Sequence, residues 1–203
     1  KINSDVVGSF GNNSDSAGFQ LGDTGGEVGT GNSGSANFNL AAGFWQAEDE
    51  PSITLNIIDD FVDLGTLDPF QVHFGTASFN VETTAQRGYV VEYFGSTLTS
   101  GSNTISPMSV LATSSPGTEQ FGFNLVANNT LPAGTGPSGG HGQVKSGYNT
   151  ANSFKFNPGD SIASSSKASK PTNFTLTFIG NINPTTALGA YYSDISILAT
   201  GKY

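Results

Sequence analysis

Apolar and polar residues alternate along most of this chain, and a period of two predicts β-strands. Phe174, Leu176 and Phe178, for instance, are separated by threonines, which places the three apolar side chains on one face of a strand. No window keeps a 3.6-residue repeat, and Gly or Pro interrupts nearly every gap. The predicted strands are residues 53–57, 70–74, 78–83, 88–94, 120–127, 153–157, 173–179 and 191–200.

This pattern predicts an all-β protein, namely a β-sandwich of jelly-roll or immunoglobulin-like type with an extended Gly-rich N-terminal arm. We place the arm at residues 1–45 and the sandwich body at residues 46–203. The polar segments 96–115 and 128–147 are too long for hairpin turns and are predicted to be crossovers or surface loops. The side chains expected to face inward are Ile53, Leu55, Ile57, Phe79, Val81, Phe121, Phe123, Leu125, Phe174, Leu176, Phe178, Ile195 and Ile197.

Within the arm, the pattern Ser-Ala-x-Phe-x-Leu occurs twice, at residues 16–21 and 35–40. Each copy is spaced like one face of an extended strand, whereas the segment 22–34 between them is too rich in Gly and polar residues to fold by itself. Two such strands on a tether predict an arm that completes a sheet in its own subunit or in a neighbouring one. The candidate donor-strand residues are Val6, Val7, Phe10, Phe19, Leu21, Phe38, Leu40, Phe44 and Trp45.

Charge and composition narrow the range of partners. The chain has 16 acidic and 7 basic residues and a net charge of -9, which argues against binding to nucleic-acid phosphates or anionic lipids. No apolar run approaches the ~18 residues of a membrane span. The chain has no cysteine, which removes disulfides, thiolate metal sites and cysteine nucleophiles together. It begins at Lys1 without Met, so we expect that a signal peptide has been removed. Low charge with abundant Thr, Ser, Asn and Gly is typical of secreted surface proteins.

The sequence offers no catalytic motif. His73 and His141 are the two histidines, and neither G-x-S-x-G nor H-E-x-x-H is present. Residues 29–34 match the letters G-x-G-x-x-G, but strand-like alternation follows them where a dinucleotide-binding fold would begin a helix. We therefore predict a protein that is not an enzyme and has no cofactor.

Two binding chemistries remain open. Asp59, Asp60, Asp63 and Asp68 cluster in one turn-rich stretch and are the candidate oxygen ligands for Ca²⁺, although surface aspartates in turns need no metal. The aromatic residues are candidate stacking platforms for sugars, while a lone Trp beside Phe is more typical of a core anchor. The aromatic candidates are Trp45, Tyr89, Tyr93, Tyr148, Tyr191 and Tyr192.

Two N-x-[ST] sequons begin at Asn128 and Asn173. They would accept glycan in a host that glycosylates secreted proteins, and chance matches are common in a sequence so rich in Ser, Thr and Asn.

Five motifs are distinctive, namely residues 35–45, 63–67, 88–91, 115–128 and 147–150. Together they resemble a group of uncharacterised secreted surface β-proteins of candidate-phyla-radiation bacteria, such as Saccharibacteria. The resemblance runs over most of the chain and implies an extracellular β protein, with no established activity to carry over. More loosely, the arm, the Asp-Leu-Gly-Thr-Leu turn and the closing strand at residues 195–200 are similar in layout to camelysin-like biofilm-matrix fibre subunits, which implies polymerisation by strand insertion.

These observations predict a structural subunit of an extracellular bacterial filament, a pilus or matrix fibre, whose partner is a further copy of the same chain. The alternative is a surface adhesin or carbohydrate-binding module that recognises host-cell or matrix glycans. A secreted hydrolase is disfavoured by the missing catalytic motifs.

Overall fold

The computed structural model of the protein describes residues 13–16, 19–22, 31–35, 38–42 and 51–203. These residues form antiparallel strands and no helix, which confirms the predicted all-β class. It follows that the described part of the chain holds no helix of the length and apolarity that crossing a membrane requires. The chain divides into two compact units, residues 1–50 and 51–203. The predicted boundary after residue 45 lies outside the described residues and stays a prediction.

In the first unit each arm motif spans two paired antiparallel strands. The serine of each copy ends one strand and the Phe-x-Leu part begins the next, since Ser16 lies opposite Phe19 and Ser35 lies opposite Phe38. The prediction of one extended strand over each whole motif was therefore wrong in its first part. The strand β1 (Asn13–Ser16) pairs with β2 (Phe19–Gly22), and β3 (Gly31–Ser35) pairs with β4 (Phe38–Ala42). The strand β3 includes the last residues of the segment 22–34, which we predict not to fold by itself, and it is paired with β4 through backbone hydrogen bonds, which need no apolar side chain. The predicted contact residues outside the described residues are Val6, Val7, Phe10, Phe44 and Trp45.

The second unit contains the predicted body strands, together with short strands in its long links. Its strands are β5 (Ile53–Ile57), β6 (His73–Thr83), β7 (Tyr89–Gly95), β8 (Thr99–Ser100), β9 (Asn103–Thr104), β10 (Ala112–Thr113), β11 (Gln120–Asn124), β12 (Ser138–Gly139), β13 (Gln143–Val144), β14 (Ser153–Phe154), β15 (Ser161–Ser165), β16 (Ser169–Asn181) and β17 (Ile195–Gly201).

Two antiparallel sheets organise these strands. One has the order β11-β16-β6-β5, with β12 also paired to β16, and the other has the order β13-β15-β7-β17. Phe79 of β6 lies opposite Phe174 of β16, and their rings stack with centroids 5.2 Å apart. The strands β5 and β17 are edge strands of the two sheets, and two further two-stranded sheets join β8 to β9 and β10 to β14.

The inner faces of the two sheets share one hydrophobic core. Of the residues predicted to face inward, those in β6, β11 and β16 are buried, and so is Leu125, which follows β11. Those in the edge strands β5 and β17 are half-buried and pack against this core, except for Ile57, which is 48% exposed. The prediction for Ile57 was wrong because β5 ends there, at the open side of the core.

Two strand predictions in the body were also wrong. Phe70 lies in a turn and is 88% exposed, and β6 begins only at His73, since Asp68 accepts a hydrogen bond from the backbone N–H of Phe70 and holds that turn. The strand β15 was missed because Ser161–Ser165 carries mostly small residues, which give a weak apolar pattern.

Candidate functional site

A cleft with a volume of about 1050 Å³ opens between the edge strand β17 and the loop that follows β5. Buried core residues form its floor, chiefly Leu98, Phe121, Leu176 and Phe178. Unlike a surface depression, this cleft therefore gives access to the apolar interior between the two sheets. We call it the docking groove. Its walls are residues 57–67 on one side and residues 186–197 on the other.

The first wall is a loop that turns into the core. Two glycines on the inner face of the five-stranded sheet make room for it, since a Cβ on Gly75 would lie 2.5 Å from Val62 Cγ1 and a Cβ on Gly180 would lie 2.9 Å from Leu64 Cδ1. Leu64 and Leu67 are half-buried against the core. The Asp-Leu-Gly-Thr-Leu turn thus fills part of the opening and leaves the groove beside it.

The second wall carries an unpaired sheet edge. The strand β17 pairs with β7 through Ile195 to Gly201, and no other described strand is hydrogen-bonded to it. Its inner face presents Ile195 and Ile197, which are half-buried, and its outward residue Ser196 is exposed. Unpaired backbone N–H and C=O groups beside a hydrophobic groove are the features to which an added strand binds.

The opposite side of the five-stranded sheet is covered by the chain itself. At the edge strand β11, the backbone N–H groups of Phe123 and Lys155 each donate to the other residue's carbonyl at 3.1 Å, and the N–H of Leu125 donates to Tyr148 O at 2.9 Å. Nothing equivalent covers β17 in the described part of the chain. The groove is therefore confined to one side of the core.

The rim of the groove is apolar and acidic. Phe61, Leu188 and Tyr192 are exposed there by 78%, 100% and 66%. The lining includes the aspartates Asp59, Asp60, Asp63 and Asp194 and no Lys, Arg or His, although residues 51–203 contain six Lys and Arg against nine Asp and Glu. The groove therefore presents a negative electrostatic field to any segment that binds in it.

The aspartates predicted as calcium ligands do not come together as a metal site within residues 51–203. The described chain has no group of three or more His, Asp or Glu side chains placed to hold a metal ion. Asp63 Oδ1 accepts a hydrogen bond from the N–H of Gly65 at 2.7 Å, and Asp68 Oδ1 accepts one from Phe70 at 2.8 Å. The backbone hydrogen bond from Phe70 and the bond from Gln71 lower the pKa of Asp68. These two carboxylates hold turns.

The two histidines are far apart in the fold and have structural surroundings. His73 Nε2 lies 3.1 Å from the backbone N of Asp68, and its Nδ1 lies 3.2 Å from Leu64 O, so the tautomer protonated at Nδ1 satisfies both contacts. His141 is exposed, and its backbone N–H donates to Ser169 Oγ. Neither ring forms a hydrogen bond to a Ser or Thr hydroxyl among the described residues.

Three of the tyrosines proposed for sugar stacking are core residues. Tyr89, Tyr93 and Tyr148 are at most 1% exposed and cannot meet a sugar at the surface. Tyr191 and Tyr192 line the docking groove. The candidate platform Trp45 lies outside the described residues.

Tyr93 and Tyr148 belong to a polar network under the β11 side of the core. Their hydroxyl oxygens are 3.0 Å apart, and Tyr148 donates to Asp160 Oδ2 at 3.0 Å. Burial raises the pKa of Tyr93 to about 12. The pKa of Tyr148 is also raised above its ordinary value, mainly by burial and secondly by the hydrogen bond with Tyr93. Partial burial alone would raise the pKa of Asp160, but hydrogen bonds led by that from Lys155 lower it. In this network the two buried hydroxyls and the partly buried Lys155–Asp160 ion pair all have hydrogen-bond partners.

The two sequons differ in accessibility. The side-chain nitrogen of Asn128 donates to Asn124 Oδ1 and to the carbonyls of Val126 and Ala133, so it is held inside the folded protein. Asn173 is exposed on β16. A glycan could be accommodated at Asn173, whereas at Asn128 it would displace these hydrogen bonds.

Comparison of the chain with protein-family models, curated proteins and solved structures finds no match. The groove therefore has to be interpreted from its own residues. Sequence reasoning missed it because residues 186–190 carry no periodic pattern and residues 191–194 were predicted as part of a strand that begins only at Ile195. A signal that could have found the groove is the excess of apolar residues in the turn-rich segment 57–67.

Proposed function

We propose that this protein is a structural subunit of an extracellular filament, a pilus or matrix fibre, and that subunits are joined by a strand from the N-terminal unit of one copy entering the docking groove of the next. In this proposal residues 51–203 form a sandwich of jelly-roll or immunoglobulin-like type with one side left open. The partner is a second copy of the chain, and neither a cofactor nor a catalytic step is involved.

The observation that carries the proposal is the position of the unpaired β17 edge beside a groove that reaches the core. An added strand would satisfy the backbone groups of that edge, and its alternate side chains would cover Leu176 and Phe178. The arm supplies two segments with this alternation, in β2 and in β4. Burial of one Phe and one Leu contributes about 3 to 6 kcal/mol before the cost of ordering the arm.

The extracellular location and the resemblance to surface β-proteins of candidate-phyla-radiation bacteria are part of the same proposal. Support comes from the low content of charged residues, the abundance of Thr, Ser, Asn and Gly, and the all-β body. The arm and the closing strand at residues 195–200 likewise match the layout of camelysin-like fibre subunits.

Negative-stain electron microscopy of the purified full chain tests the proposal. We expect filaments with a regular subunit repeat, and a matched chain that starts at residue 46 should stay folded by circular dichroism and sediment as a monomer. A full chain that remains monomeric at high concentration, or a shortened chain that assembles equally well, would overturn the proposal.

Carbohydrate binding is a second candidate, because Phe61 and Tyr192 stand exposed beside four aspartates at the groove rim. An exposed aromatic ring flanked by hydrogen-bonding carboxylates is suited to one face and the hydroxyls of a sugar. A glycan array with the wild-type chain and Tyr192→Ala separates this function from the first, since sugar binding requires a signal that the variant loses.

A further inference from the structure

The acidic rim of the docking groove distinguishes between the two arm motifs. Four of the nine acidic residues of the body line the groove, and none of its six basic residues does. The first 50 residues are acidic as well, with seven Asp and Glu against one Lys. A donor segment that carries its own carboxylates into the groove would meet repulsion, so charge decides which motif fits.

The two motifs differ sharply in the charge near them. Residues 28–47, which include β4, contain no charged side chain, whereas Asp15 and Asp23 flank the apolar residues of β2. In an extended strand, Asp23 would follow Leu21 by about 7 Å, which is inside the screening length of about 8 Å at physiological salt. Glu48 follows Leu40 by about 26 Å in an extended chain, well beyond that length.

We propose that β4 is the donor strand and that it adds to the free edge of β17, with Phe38 and Leu40 in the docking groove of the next copy. This inference rests on the proposed filament and specifies its joint. Among the described strands β4 is paired with β3 on one side, which leaves its other edge available. The four-stranded sheet would continue across the junction in the order β7-β17-β4-β3, so the hairpin enters without losing its own hydrogen bonds.

The uncharged segment also explains how the joint avoids the glutamates at its ends. In the sequence, Glu27 is four residues before Gly31 and Glu48 is six residues after Ala42, so both glutamates lie beyond the end of the β3-β4 pair that is away from Phe38. Like charges brought close together in a complex disfavour a wrong partner. The acidic rim would in this way reject β2 and accept β4.

The first test compares two matched variants of the full chain, Phe38→Ser with Leu40→Ser, and Phe19→Ser with Leu21→Ser. We expect the first pair to abolish filaments in negative stain and the second pair to leave them at wild-type length and number. Loss with the second pair alone would overturn the assignment of β4 while leaving strand exchange standing. Filaments with both pairs would overturn strand exchange through β2 or β4.

The second test leaves the groove side chains unchanged. Because the chain has no cysteine, the two introduced cysteines of each copy are the only thiols that can form disulfides. Ser196→Cys with Asn39→Cys places thiols on the outward faces of β17 and β4, and the control combines Ser196→Cys with Gln20→Cys. Neighbouring strands bring Cβ atoms to about 4.5 to 5.5 Å, close enough for a disulfide after a small adjustment.

After mild oxidation we expect a ladder of covalent oligomers on a non-reducing gel for the Asn39 pair and monomers for the Gln20 pair. A ladder only for the Gln20 pair, or no ladder from assembled filaments of the Asn39 pair, would overturn the assignment of β4. Internally closed monomers of the Asn39 pair would show that β4 binds its own body, which would overturn the proposed function as well.

Discussion

Two edge strands of the body, β11 and β17, differ in how the chain covers them, and this contrast explains the groove. At β11 the chain returns through Tyr148 and Lys155 and makes backbone hydrogen bonds to the edge. Beneath that cover, Phe123 and Phe156 are at most 1% exposed. At β17 no described strand covers the edge, and Ile195 and Ile197 remain half-buried. One core thus has a closed side and an open side.

The open side does not result from a lack of residues near β17 that could cover it. Residues 182–194 pass beside the groove, yet they line it without adding a strand to β17. A monomeric sandwich would normally blunt such an edge with a charged side chain, a proline or a bulge. The residues from Ile195 to Gly201 include none of the charged side chains or prolines that serve this purpose. We interpret the edge as a surface kept for a partner strand.

The largest difference in unfolding free energy should appear between truncation of a core residue on the closed side and truncation of one on the open side. Phe123→Ala should destabilise a chain that starts at residue 46 by about 3 to 5 kcal/mol, because the ring packs against Tyr93 and Phe178 with no exposure. Leu64→Ala in the groove wall should cost about 1 kcal/mol, since its side chain is only half-buried. Urea unfolding measures both, and equal losses would contradict the division into a closed and an open side.

A smaller effect should follow removal of one hydroxyl under the closed side. Tyr148→Phe should cost about 1 to 3 kcal/mol because it leaves Tyr93 and Asp160 each with one hydrogen bond fewer. The control Tyr191→Phe removes a hydroxyl that donates to Ala187 O in an exposed position, and it should cost less than about 0.5 kcal/mol.

The pH dependence of the same variant has a defined sign. The folded-state pKa values of Tyr93 and Tyr148 lie above the ordinary value of 10.0. Their contribution to stability is therefore fully present below pH 10 and is lost as the pH rises toward the folded values. Stability of Tyr148→Phe should fall less steeply above pH 10 than that of the wild type, and parallel curves would contradict the buried network.

A smaller loss of unfolding free energy is expected for Asp160→Asn. The carboxylate accepts hydrogen bonds from Lys155 at 2.5 Å and from the side chain of Asn157 at 2.8 Å, and both partners of the ion pair remain partly solvated. We expect a loss of about 1 kcal/mol at neutral pH, discounted for screening by solvent.

That loss should depend on pH in the acid range. The folded-state pKa of Asp160 lies below 3.8, so its contribution is present above that value and disappears as the pH falls through the folded pKa. The difference in unfolding free energy between Asp160→Asn and the wild type should shrink below about pH 4. Asp194→Asn, with no hydrogen-bond partner in residues 51–203, serves as the control.

The smallest effect on folding is expected at the rim of the groove. Phe61→Ser replaces a side chain that is 78% exposed, so the unassembled body should change in stability by no more than about 0.5 kcal/mol. Its effect should instead appear in assembly of the full chain, measured by sedimentation. A large loss of stability without a change in assembly would mean that Phe61 belongs to the core.

Much of the fold could be predicted from residues that alternate over a full strand. Phe174, Leu176 and Phe178 face inward as their spacing requires, because β16 is central and its inner face is sealed. Ile57 has the same spacing, but its burial depends on which strand lies at the sheet edge, and that is decided by pairings between distant segments. Local pattern carries no information about those pairings.

The candidate site was harder to predict for a related reason. The groove exists where Leu64 and its loop meet Gly75, Gly180 and the segment before β17, and these parts are far apart in the sequence. Likewise, nothing near Tyr148 in the sequence identifies Tyr93 as the partner of its hydroxyl. The arm motifs were recognisable as strands because a repeat of Phe and Leu on alternate positions is a local signal.

The order in which strands pair also affects how the body reaches its fold. In one main sheet, β6 near the start of the body pairs with β16 near its end. In the other, β7 pairs with the distant strand β17. Contacts so distant in sequence require large loops to close before they stabilise anything, and all-β domains of this kind fold in milliseconds to seconds. Before β16 and β17 are available, only pairs such as β5 with β6 and β7 with β15 can form, and neither main sheet can be completed. The availability of β16 and β17, rather than that of any earlier strand, should set the time at which the two sheets are completed.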